Sequence, residues 1–141
     1  MESLIETEVS YWSQTTGYAI EALACLARRR PQSMLVREIA GLTEIPPPYL
    51  AKIIQRLAEA GIVVSKRGYK GGVRLTAPPE KITLLQIDAA ADSGRSYDAA
   101  VDSARPDSFW EAFHQSYREQ LASMTLADVL AYEHETRHAL S

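Results

Sequence analysis

A chain of 141 residues with an ordinary globular composition suits one domain, with an appended helix, and can bury a real core. Its single cysteine, Cys25, excludes an intramolecular disulfide. The first residues are acidic and no apolar run approaches the roughly 20 residues a membrane helix needs, so a soluble, cytoplasmic protein is expected. The net charge of −3 would argue against nucleic acid if it were evenly spread, but it is not. Residues 28–81 carry 11 Lys or Arg against 4 Asp or Glu, a balance of +7, and the remainder carries 4 against 14, a balance of −10. One basic segment on an acidic chain is the footprint of a localised phosphate-binding face.

In chain order, residues 1–14 are polar and acidic around Leu4, Ile5, Val9, Tyr11 and Trp12. They either extend the first helix or pack against a partner. The pattern predicts a helix over Thr16–Arg30, with Ile20, Leu23, Ala24, Leu26 and Ala27 on one broad face and Arg28, Arg29 and Arg30 at its negative end. Pro31 stops it. Cys25 sits in this small-residue run and reads as a core filler, with a lone reactive thiol as the alternative. A short helix follows over residues 35–42, with Leu35, Ile39 and Leu42 predicted to face inward, and Thr43 to Pro46 make a tight turn.

Pro46, Pro47 and Pro48 fit only the first turn of a helix, where a missing N–H has no partner to lose. From Tyr49 on, Leu50, Ile53, Ile54, Leu57 and Ala58 recur at helical spacing, and Gly61 supplies the stop. The opposite face shows Tyr49, Lys52, Gln55 and Arg56. Ile62, Val63 and Val64 suit a strand. Lys66, Arg67, Gly68, Tyr69, Lys70, Gly71 and Gly72 form a basic, glycine-rich turn, and residues 73–76 return as a second strand. Short helix, turn, helix and basic hairpin predict a winged helix-turn-helix, mainly α with a small β-hairpin wing. Lys52 and Arg56, one turn apart, can point into one groove. An arginine grips a guanine edge and Gln55 pairs an adenine. Tyr49 reaches a phosphate or a thymine methyl, Pro47 and Pro48 bring the backbone close, and Lys66, Lys70 and Arg74 are phosphate contacts beside Tyr69.

Beyond the wing, Pro78 and Pro79 break the chain, and Thr83 with Gln86 forms a capping box opening a helix whose buried face is Leu84, Leu85, Ile87 and Ala91. Residues 93–107 read as a loop. Ser108 with Glu111 opens a helix to about Ser123, on which Trp110, Phe113, Tyr117, Leu121 and Met124 approach a coiled-coil seam widened by Phe109. Such aromatics are costly to expose, and either a partner helix or the chain's own domain covers them. Thr125 with Asp128 starts a last helix carrying Leu126, Val129 and Leu130, and residues from Glu133 on look solvated.

The stretch IPPPYLAKIIQRLAEAGIVVSKRGYKGGVRLTAPPEKITLLQI resembles the DNA-binding core of the Rrf2 family of bacterial regulators, over roughly Thr16 to Asp92. The resemblance implies that Pro48, Tyr49 and Lys52 match positions that contact bases or phosphates. It also implies that Arg67, followed by Gly68, is a wing arginine for the minor groove, where a narrow A·T-rich groove deepens the negative potential. Proline stands before the tyrosine where many relatives have small hydroxyl residues, so the bases read differ. Family members dimerise through a long helix at the position of Ser108–Ser123, which favours the partner-helix cover. Cluster-binding members carry three closely spaced cysteines in the preceding loop; here Ser93, Ser96, Asp98, Asp102, Ser103 and Asp107 stand there. No iron–sulfur cluster, and no other cofactor, is therefore expected.

No phosphate loop, nucleophile elbow or HExxH is present, so an enzyme is not expected. His134 and His138, one helical turn apart beside Glu133 and Glu135, read as exposed residues rather than a metal site. The sequence thus predicts a DNA-binding domain over 1–92, a loop over 93–107 and a dimerisation region over 108–141. The expected protein is a homodimeric repressor on a palindromic operator, with an unidentified small-molecule or protein effector. A winged-helix module that binds an acidic protein is the alternative.

Overall fold

The computed structural model describes residues 13–66, 71–92 and 108–140, leaving aside the side chains at 92, 108, 110 and 134–140. Helix α1 (Gln14–Arg29) opens two residues before its predicted start because Ser13 is its N-cap, accepting from the Thr16 amide at 3.2 Å. Its run of small and branched residues lets neighbours approach from several sides. Ala19, Ile20, Ala22, Leu23, Ala24 and Leu26 are all buried, and the helices and the hairpin that follow pack around them.

Helix α2 (Val36–Thr43) turns Ile39 and Ala40 inward, with Val36 beside them. Leu35 and Leu42, predicted to face inward, are 37% and 64% exposed. At about 100° per residue, the buried stripe of this two-turn helix is centred between Ile39 and Ala40, and both leucines fall well to one side of it. Ile45 takes the inward place instead, after Glu44 turns the chain at a left-handed φ of 62°. Helix α3 (Pro47–Glu59) then begins, with Pro46 as its N-cap.

Strands β1 (Val63–Lys66) and β2 (Gly72–Leu75) pair antiparallel, Val63 with Leu75 through Lys66 with Gly72. A third segment joins them. The Met34 amide donates to the Val73 carbonyl at 2.9 Å and the Val73 amide to the Met34 carbonyl at 2.7 Å. Gly72, at φ +134°, lies under this contact, and a Cβ there would sit 2.8 Å from the Met34 oxygen. That glycine serves strand pairing in the hairpin itself.

After a 3₁₀ turn at Pro79–Lys81 come α4 (Leu84–Asp92), α5 (Ser108–Ser123) and α6 (Leu126–Leu140). The predicted capping boxes are formed at Thr83 with Gln86, and at Thr125 with Asp128. The box at Ser108 lies outside the described side chains. Thr83 and Thr125 also form a short bridge: the Leu84 amide donates to the Met124 carbonyl and the Leu126 amide to the Ile82 carbonyl. This stitches the start of α6 to the start of α4.

One core results, and it divides the predicted aromatic seam. Tyr117 and Leu121, at 6% and 4% exposure, join the cluster that contains Leu23, Ile87, Leu126 and Val129, and Met124 packs against it. These three are covered by their own chain, because the later turns of α5 run against α4. Phe109 and Phe113 remain 64% and 38% exposed, their rings stacked at 6.4 Å. The side chain of Trp110 is outside the described set. The tail predicted to be solvated continues helix α6, and its first residue, Glu133, holds the Arg28 guanidinium at 2.6 Å; the side chains beyond it lie outside the described set.

Candidate nucleic-acid interface

Helix α3 is strongly one-sided. Leu50, Ile53, Ile54 and Leu57 are at most 5% exposed and anchor it on α1, α2 and α4. Burial of that order is worth about 1.5–3 kcal/mol per side chain, enough to hold the helix rigidly on the core. Pro47 and Pro48 occupy its first turn and are exposed. Lys52 and Gln55 project from the opposite face and are exposed. Rigid helix, cationic outer face: this is what reading a groove requires.

Tyr49 and Arg56, predicted on that same face, are exposed as well, and both also bond to other parts of the chain. The Tyr49 hydroxyl shares a 2.8 Å hydrogen bond with the Thr15 hydroxyl, and its ring meets Tyr18 edge-on at a centroid distance of 5.6 Å. Arg56 Nη1 donates to the Ala91 carbonyl at 2.8 Å. All three partners lie far along the chain, and none has a local sequence signal.

In the hairpin, the register directs Val63, Val73 and Leu75 into the core and Val64, Lys66 and Arg74 outward. Lys66 and Arg74 line an open groove of about 770 Å³ together with Ser33, Leu35, Glu38 and Val64. Arg67, Tyr69 and Lys70 lie outside the described residues. Arg37 on α2 is a further exposed cation, not singled out from the sequence although it lies within the basic segment. Thr16 is fully buried and donates to the Asp88 carboxylate at 2.8 Å, tying the start of α1 to α4 beside the α3 entrance.

Helix, turn, anchored helix and a hairpin with outward cations define a winged helix-turn-helix protein of the DNA-binding class. The family model for Rrf2, described as an iron-dependent transcriptional regulator, matches residues 12–132. The chain belongs to the Rrf2 family of DNA-binding transcriptional regulators. It is 37% identical over 123 residues to an HTH-type transcriptional regulator of Synechocystis, covering 79% of this chain and 82% of that one. It is 43% identical over 76 residues to an HTH-type transcriptional regulator of Aquifex aeolicus, a match that covers 54% of this chain and 53% of the relative's length. Among solved structures it is similar to CymR, the global cysteine regulator of B. subtilis, with a TM-score of 0.74 and 25% identity over 88% of this chain and 98% of that one. These relatives are regulators, not enzymes, in keeping with the absence of catalytic motifs from the sequence. Among the described residues, no helix is long and apolar enough to cross a membrane.

Proposed function

We propose that this chain is a sequence-specific, cytoplasmic repressor that acts as a homodimer on a palindromic operator without an iron–sulfur cluster. The observation that carries it is α3: every large aliphatic side chain faces the core, while Lys52 and Gln55 are exposed on its outer face, and the hairpin that follows turns Lys66 and Arg74 outward. Lys52 meets guanine O6 and N7, and Gln55 meets an adenine edge, in the major groove. Pro47, Pro48 and Tyr49 form the entry of the helix. Lys66, Lys70 and Arg74 hold phosphates beside Tyr69, and Arg67 enters the minor groove. The exposed, stacked Phe109 and Phe113, with Trp110 on the same helix, support a dimer built through the first half of α5. Residues 1–92 then form the DNA-binding part, 93–107 the connection and 108–141 the dimerisation part. A two-fold axis sets two α3 helices on half-sites of matching symmetry. A small-molecule or protein effector acts at that interface.

The family description names iron, and the donors of this chain do not fit an iron–sulfur cluster. Such clusters take thiolates, with histidine replacing only some of them. The sole cysteine is Cys25, half-buried in α1, where burial pushes its thiol up. Among the described residues, no three His, Cys, Asp or Glu side chains are grouped to hold a metal.

The test is selection of genomic DNA by the purified protein, followed by affinity measured across a salt series. A palindromic site with a steep loss of affinity in added salt is expected. Binding that ignores salt, or no enriched site, overturns the DNA-reading mechanism and leaves the protein-binding module. Deleting the gene should raise transcription from the selected promoter; a fall would make the protein an activator. Protein purified without oxygen should be colourless, and visible absorbance accompanied by iron and sulfide would refute the cluster-free claim.

A further inference from the structure

Around the axis of α3, at roughly 100° per residue, the side chains separate into three sets. Leu50, Ile53, Ile54 and Leu57 form the buried stripe. Lys52 and Gln55 lie opposite it. Tyr49 and Arg56, two turns apart, lie on one flank about 90° from the buried centre, where side chains reach neighbouring helices rather than straight outward.

The contacts follow that placement. At the N-terminal end, Tyr49 grips α1 through the Thr15 hydroxyl and the edge of the Tyr18 ring. At the C-terminal end, the Arg56 guanidinium reaches the Ala91 carbonyl in the last turn of α4. Carbonyls there have no intrahelical donor, and the negative end of the helix dipole favours a cation. Ala91 itself is fully buried, so the exposed arginine lays one end of its guanidinium on the domain at that carbonyl.

We propose that Tyr49 and Arg56 are positioning residues, which fasten the two ends of α3 to α1 and α4 and leave the groove-facing surface to Lys52 and Gln55. This rests on the DNA-binding function proposed above and deepens it. A positioning arginine and a reading arginine differ in what their removal does. A reading arginine carries one base-pair preference or one phosphate, and its loss relaxes that position or lowers the salt slope by about one. A fastener holds the helix whether DNA is present or not, so its loss loosens the free protein and weakens binding across the whole site.

The experiment is amide hydrogen exchange on the DNA-free, full-length protein, paired with operator affinity over a salt series and a base-by-base substitution of the selected site. Arg56→Ala should speed exchange in α3 and in the last turn of α4 by roughly tenfold. It should also lower affinity with the salt slope and the pattern of base preference unchanged. Arg56→Lys, which retains a cationic donor, should recover part of both losses. Lys52→Ala should leave exchange unchanged and relax the preference at one base pair. If Arg56→Ala fails to fold, Tyr49→Phe carries the test, because it removes only the hydroxyl and should speed exchange in the first turns of α3. Unchanged exchange in these variants, or loss of a single base preference in Arg56→Ala, overturns the proposal. Should the wild-type protein bind no DNA, the functional proposal fails, while the exchange measurements still decide whether the two side chains fasten α3.

Discussion

Helices α3 and α5 are both amphipathic, and their outward surfaces are opposite in kind. In α3 the large aliphatic residues are buried to 5% exposure or less, and the outward side carries Lys52 and Gln55, flanked by Tyr49 and Arg56. In α5 the second half does the same, with Tyr117 and Leu121 in the core, but the first half leaves Phe109 and Phe113 at the surface. An outward cation keeps its hydration at little cost and suits a charged, wet partner. An outward pair of stacked aromatic rings suits a partner that removes it from water. The two helices therefore suit partners of different chemistry, a charged one for α3 and an apolar one for α5. On that basis the proposed function assigns DNA to the first and a second copy of the chain to the other.

The most forceful way to break this comparison is to truncate α3 on its inner side. Leu57→Ala removes a fully buried side chain, and it should lower stability in denaturant unfolding by about 2–5 kcal/mol. A change below 0.5 kcal/mol would mean that α3 is not anchored as its burial indicates. Next in size is the aromatic pair. If the proposed dimer covers these rings, replacing Phe109 and Phe113 together by serine forfeits on the order of 1.5–3 kcal/mol of that cover, because neither ring starts fully exposed. Sedimentation should show a dimer dissociation constant raised roughly tenfold or more, with the monomer still folded. A folded dimer of unchanged affinity would remove α5 from the interface. Lys52→Ala should be nearly silent in stability, within about 0.5 kcal/mol, yet cost about 1–3 kcal/mol of operator discrimination. Binding to matched and mismatched sites measures that directly, and equal losses on both would make Lys52 a phosphate contact instead.

Much of α3 was legible because its signals are local. Leu50, Ile53, Ile54 and Leu57 repeat at helical spacing, the prolines mark the first turn, and Gly61 takes a φ of +80° just beyond the end. The capping boxes at Thr83 and Thr125 were legible for the same reason. What escaped was set by distant parts of the chain. The bridge between Thr83 and Thr125, the pairing of Met34 with Val73 and the bond from Arg56 to Ala91 are backbone or backbone-directed contacts, and a backbone carbonyl looks alike at every residue. The aromatic spacing on α5 is the same whether the helix folds onto its own domain or onto a partner. Only packing against α4 separates Tyr117 and Leu121 from Phe113. Leu35 and Leu42 misled because a two-turn helix offers too few residues to fix the direction of its buried stripe.

The smallest expected effect sits on α1, which packs against both α3 and α6. Burial pushes the Cys25 thiol up; Arg28 pulls it back, Glu21 and Glu133 push it further, and Arg29 pulls it back slightly. Glu133 belongs to α6, so the thiol senses whether that helix is docked. Between the unfolded thiol value of about 8.5 and the higher folded one, the native chain keeps a proton that the unfolded chain has released. Stability should then be unaffected by this group below about pH 8.5 and fall modestly as the pH rises past it, a slope that Cys25→Ala abolishes. Alkylation of Cys25 in the folded protein should likewise need a higher pH than a free thiol does. The serine variant at Phe109 and Phe113 should leave the alkylation profile unchanged, because the rings lie on the first half of α5, outside the buried core. A shift of that profile toward the free-thiol value would show that α5 and α6 leave the domain together, making the C-terminal helices one mobile unit rather than a core half and an interface half.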